Sequence, residues 1–230
     1  LFCSLKDATV ENLVIDESCS FTGYNAGALS ASVNGSLTVT NTTNKAVVCG
    51  NYGVGGFIGY VQGLKMLTVI TLDYCVNDGV VTGIDDGSNV GGFLGDISSN
   101  TNVIITLSNS TNNGNVTGNF TEGEWDSNVG GLVGRISCNT NFTVVISNTI
   151  NNAKVKVNGG SGGGFVGLIY DNTVITTVIS NSSCNALAID GSYVGGLVGS
   201  VEQNIDMDIA ISNSTNNAIV SGGEFLGGGF

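Results

Sequence analysis

The sequence predicts an all-β fold, a right-handed parallel β-solenoid of six to seven coils, and three observations carry that prediction. A five-residue phrase, G-G-[FL]-[VIL]-G, returns along the chain at intervals near 33 residues. Each interval holds a second segment in which Val, Ile and Thr alternate with polar or smaller residues. Asn and Gly close each alternating run. A repeat of this length outranks any local assignment, because one unit cannot bury its apolar face alone.

The phrase reads GGFIG at 55–59, GGFLG at 91–95, GGLVG at 130–134, GGFVG at 163–167 and GGLVG at 195–199. A worn copy, GALSA, stands at 27–31, and the sequence ends on GGF at 228–230. Its paired glycines mark a tight corner, or a close approach between backbones, that a Cβ would block. Gly92, Gly131, Gly164 and Gly196 should stack at that corner, above an interior ladder of Phe93, Leu132, Phe165 and Leu197. Simple alternation places Ile58, Leu94, Val133, Val166 and Val198 outward, unless a bend at the glycines turns them in.

The second segment is strand, because period-two alternation rich in β-branched residues suits a pleated, half-buried surface. Ile105 and Leu107, Val144 and Ile146, Ile175 and Ile179, and Met207, Ile209 and Ile211 mark its inward side. An Asn-rich turn follows, then a short third strand such as Ala218-Ile219-Val220. One unit therefore holds about three strands, stacked on the next unit at about 4.8 Å, and residues 1–230 form a single repeat domain.

The G-G-[FL]-[VIL]-G phrase, followed by β-rich sequence with Asn and small residues, resembles the GLUG repeat of secreted and cell-surface proteins. The likeness runs from about residue 23 onward. It implies a surface adhesin or a structural stalk, and it brings no catalytic residues and no cofactor with it.

Composition narrows the function further. The net charge is −12, with only six Lys and Arg and no His, which makes nucleic acid and anionic lipid poor partners. No apolar run reaches the roughly 18 residues of a membrane span. Polysaccharide lyases and hydrolases built on β-helices need converging carboxylates or a base with cationic partners; here the cations are scattered. GGSGGG at 159–164 lacks the Lys and the helix of a phosphate loop. Asp85, Asp86, Glu122, Glu124, Asp126 and Asp190 gather in loops, but without the alternating acidic loop typical of calcium sites. Thr38, Thr71 and Thr106 share an outward row of the kind that binds ice, which Val145, Val178 and Ala210 then interrupt.

Eight N-x-S/T sequons begin at Asn34, Asn41, Asn109, Asn115, Asn119, Asn141, Asn181 and Asn213. Asn41, Asn109, Asn181 and Asn213 occupy one repeat position, shared with Asn148. Two readings stand side by side: N-linked glycans, and an amide ladder along the solenoid. Six cysteines, Cys3, Cys19, Cys49, Cys75, Cys138 and Cys184, are an even number that fits disulfides in an oxidising compartment, with Cys3 and Cys19 as a local pair. Their spacing matches no zinc pattern.

The two ends complement each other. GGF at 228–230, read on into Leu1, aligns without gaps to the unit at 163, setting Leu1 on Val166, Leu13 on Val178 and Cys19 on Cys184. The expectation is an extracellular, glycosylated filament subunit that joins copies of itself head to tail, through Leu1, Phe2, Phe225, Leu226 and Phe230. A chain that is a segment of a longer repeat protein gives the same alignment. An adhesin module for host protein or glycan is the alternative from another class, and a β-helix carbohydrate-active enzyme is the remote one.

Overall fold

The computed structural model describes residues 1–119, 127–186 and 189–228. Among these residues every regular element is a strand. The fifth coil shows the plan, running through Val133–Ser137, Thr140–Ser147, Ile150–Asn151, Val155–Val157 and Ser161–Gly163. Seven coils stack in parallel, each strand lying on its counterpart in the previous coil. Three faces are seven-stranded sheets, and the fourth carries the last two segments of every coil as a 12-stranded sheet. The parallel β-solenoid is therefore the fold, with five strand segments per typical coil rather than the three expected. The additional segments are the two-residue rung after the Asn corner and the strand just before the glycine phrase.

The glycine phrase joins the fourth face of one coil to the first face of the next. Phe57, Phe93, Leu132, Phe165 and Leu197 all lie inside it, and the Phe57 and Phe93 rings stack at 5.2 Å. Backbone bonds run up this ladder, from the Phe93 N–H to Leu132 O at 2.9 Å and from Leu132 to Phe165 at 3.0 Å. Its glycines are selected for space, since none has a positive φ. A Cβ on Gly91 would lie 2.0 Å from Leu94 O, one on Gly92 2.2 Å from Gly131 O, and one on Gly95 2.3 Å from Val54 N. The phrase thus folds its two flanking strands against each other as an arch. That bend also settles the aliphatics that follow: Ile58, Leu94, Val133 and Val166 point inward and are buried, not outward.

The second face follows its period-two pattern. Ile105, Val144, Thr177 and Ile209 form one inward column, and Leu107, Ile146, Ile179 and Ile211 another. Thr177 is the exception in chemistry: its hydroxyl is fully buried with no hydrogen-bond partner among the described residues. Thr177→Val keeps the shape and removes a desolvated polar atom, so it should stabilise the fold by about 1 kcal/mol. A urea midpoint that moves down would contradict this.

The outward row of threonines is longer than expected, with Thr9 extending Thr38, Thr71 and Thr106 before Val145, Val178 and Ala210 take over. The gap-free alignment of the chain ends does not survive. Phe2, not Leu1, shares the column of Val166; Thr9, not Leu13, that of Val178; and Ile15, not Cys19, that of Cys184. Register is set by strand pairing and by which side chains must face the core. The loops between strands differ in length from coil to coil, so counting residues across them fails.

Candidate functional site

The corner between the second face and the short rung explains the recurring S-N-[ST]-x-N segment. Asn12, Asn41, Asn109, Asn148, Asn181 and Asn213 all sit there with φ between 47° and 55°. Asn adopts this left-handed conformation more readily than most L-residues; Tyr74 takes the same place in the third coil. The next residue is a buried hydroxyl in Thr42, Ser110, Thr149 and Ser182. Ser110 Oγ donates to Ser108 O at 2.6 Å and accepts the Cys75 N–H at 3.0 Å, and Ser182 does the same for Thr149 at 3.1 Å.

Two residues further on lies the amide ladder proper. Asn44 donates to Asn77 at 2.8 Å, Asn77 to Asn112 at 2.8 Å and Asn112 to Asn151 at 3.0 Å, all fully buried. A second ladder, buried at Asn100, Asn139 and Asn172 and half-buried at Asn204, runs along the corner after the first face. The ladder expected at the aligned sequons is therefore displaced to other asparagines. At the sequon column itself, among the described residues, the side-chain amide bonds along the axis are isolated ones, Asn41 to Asn12 at 2.7 Å and Asn109 to Asp73 at 2.8 Å.

Of the sequon asparagines, Asn34, Asn41, Asn115, Asn141, Asn181 and Asn213 are exposed, while Asn109 and Asn119 are half-buried. The sequon of Asn119 runs into residues 120–126, outside the described residues. Asn41, Asn109, Asn181 and Asn213 fall on coils two, four, six and seven, so most neighbours in that column are two coils apart.

All six cysteines are free thiols, and the expected pairing of Cys3 with Cys19 is not made. Cys75 and Cys184 are buried on rungs three coils apart, beyond reach of one another. Each substitutes for a rung residue: Cys75 stands in the Ser/Thr row, bonding Asp73 O as the hydroxyls do, and Cys184 stands in the Asn44 column. Burial pushes the Cys75 thiol up to about 11 and raises Cys184 and Cys138 as well, with Asp171 adding to the effect at Cys138. These thiols are poor nucleophiles at neutral pH.

The only arginine enters a polar cluster that composition does not announce. Arg135, on the fifth coil, clamps the fully buried Asp96 of the fourth coil through Nε at 3.3 Å and Nη2 at 2.8 Å. Nη2 also donates to the Tyr52 hydroxyl of the second coil at 2.6 Å, and the guanidinium carbon lies 5.7 Å from that ring's centre. Tyr24 stacks on Tyr52 at 5.6 Å, and Tyr60 meets it edge-on. Burial pushes Tyr52 up to about 12, with the Asp96 charge adding to it, and burial raises Tyr60 too. Burial opposes the charge on Arg135, but Asp96 more than offsets it and holds the guanidinium above its ordinary value. Burial also raises the Asp96 carboxyl against the pull of Arg135. Tyr52 and Arg135 both keep their protons at neutral pH. The cluster is a brace along the axis. Among the described residues no group of three or more acidic or Cys side chains is placed to hold a metal ion.

Exposed apolar side chains occur on internal coils, Met66 and Leu67 above all, and on both end coils. On the seventh, Val201 and Ile211 are 44% and 39% exposed, whereas Ile169 and Ile179, one coil below, are fully buried. On the first, Leu1 and Phe2 are exposed and line a cavity of about 230 Å³ with Phe21, Asn25 and Ala26. Leu226 lies in a strand paired to Tyr193, as Phe225 does in the same element, while Phe230 lies outside the described residues. No helix is long and apolar enough to cross a membrane among the described residues. No protein-family model, no curated protein and no solved structure matches this chain.

Proposed function

We propose that the protein is a structural subunit of an extracellular filament or surface appendage, in which coils of successive copies stack end to end. The edge that the seventh coil presents carries this reading. That coil's core columns end in Val201 and Ile211 at positions that coils two to six keep buried, and its last strands present unpaired backbone groups. Burying such an edge satisfies its N–H and C=O groups and removes apolar surface from water together. The first coil of another copy offers the matching edge, and because the two ends differ the contact repeats rather than closing on a dimer. The GLUG-like phrase agrees with a stalk or fibre, and exposed sequon asparagines along the sides agree with a sugar-coated one.

Negative-stain microscopy and light scattering test it. Filaments of constant width, lengthening with concentration, are the expected result. Deleting residues 224–230 removes part of the last coil's edge, and should leave shorter assemblies or monomers with an unchanged β-rich circular dichroism spectrum. A full-length chain that stays monomeric at high concentration defeats the proposal, and discrete particles point to an adhesin module instead.

A further inference from the structure

Resting on that reading of end-to-end stacking, we infer the register of the joint: the first coil of one copy continues the columns of the seventh coil of another as if it were an eighth coil. The columns are defined by pairing that runs unbroken through all seven coils. Leu5 belongs to the column of Val201, through Val33, Val61, Ile97, Ile136 and Ile169. Val10 belongs to that of Ile211, and Phe21 to that of Val220. In this register the exposed Val201 and Ile211 and the half-buried Val220 meet Leu5, Val10 and Phe21, whereas the exposed Ile219, one residue before Val220, comes over Ser20 and Ile205 meets no strand residue of the first coil. The core of one copy runs on into the next.

Charge agrees with the same register. Glu202 carries on the column of Tyr170, Ser137, Ser98 and Gln62, one residue beyond the Val201 column. Lys6 follows Leu5 directly, so extending the Leu5 and Val201 strands by one residue sets Lys6 beside Glu202 at the joint. Both are exposed in the single chain. A chain with only six cations places one of them opposite the acid that ends its column. Two features keep the joint weaker than an internal contact between coils. Ile15 offers Asn216 no amide to extend the buried ladder, and Asp208 comes to lie beside Asp7.

The gap-free reading of the chain ends gives a different register, with Leu5 rather than Lys6 opposite Glu202, and Ile15 rather than Glu11 opposite Ser212. The two are separable by experiment on the full chain. In low salt, Lys6→Glu and Glu202→Lys should each raise the concentration needed for half-assembly by about three- to fivefold, and the double reversal should restore it. Cysteines at positions 11 and 212, on neighbouring strands about 4.8 Å apart, lie within disulfide reach. With Cys3, Cys19, Cys49 and Cys138 replaced by serine, Glu11→Cys with Ser212→Cys should give a ladder of covalent multimers on oxidation, and Ile15→Cys with Ser212→Cys should not. Circular dichroism confirms folding of each variant. Filaments that cross-link through position 15, or a double reversal that fails to restore assembly, overturn this register while leaving end-to-end stacking in place. A wild-type chain that never assembles overturns both.

Discussion

Gly131→Ala, a change of one carbon, is expected to destabilise the protein by about 3 kcal/mol or more. The added Cβ would stand 2.2 Å from Gly164 O and 2.2 Å from Asn151 Nδ2. Neither neighbour can withdraw cheaply. Gly164 is the equivalent glycine of the next coil, and Asn151 is held by Asn112 and by its own bond to Gly164 O at 2.9 Å. Valine at this position should be worse. Gly63 supplies the contrast: its φ is +71° but nothing lies within 4 Å of the added carbon, so Gly63→Ala should cost only about 1 kcal/mol. Urea unfolding of the two variants measures the difference. Equal costs would mean that the glycine corner is selected for backbone freedom and not for space.

Asn112→Leu is expected to cost about 2–4 kcal/mol, although leucine is the more apolar residue. Asn112 Nδ2 donates to Gly131 O at 2.7 Å and to Asn151 Oδ1 at 3.0 Å, while its own Oδ1 accepts from Asn77. Leucine leaves buried amide and carbonyl groups without those partners on both sides. The same ladder makes a prediction of opposite sign at its one interruption. Cys184 lies over Gly164 just as Asn151 lies over Gly131 and Asn216 over Gly196. Cys184→Asn should therefore join Asn151 to Asn216 and add about 1 kcal/mol of stability. Thermal unfolding of both variants checks the pair; a stabilised Asn112→Leu protein would remove the ladder as a source of stability.

The repeat period, the strand character of the alternating segment and the interior Phe/Leu ladder are properties that the sequence by itself determined. They are legible because each is written several times, and because a strand's side chains alternate with a fixed period of two. The space required at Gly92 and Gly131 was readable for the same reason, since only the residue without a Cβ recurs there. What the tertiary structure decided lies at the corners. A left-handed residue such as Asn109 ends the simple alternation, so the buried ladder falls on Asn112 and Asn151 while the aligned sequon asparagines stay at the surface or half-buried. The arch at the glycine phrase likewise turned Leu94 and Val133 inward. Arg135 reaches Asp96 and Tyr52 across coils that only stacking brings together, and a single arginine gives no pattern to read. Column membership at the chain ends depends on loop lengths that vary between coils. There, hydrogen-bonded pairing and core burial choose the register, and residue counting does not.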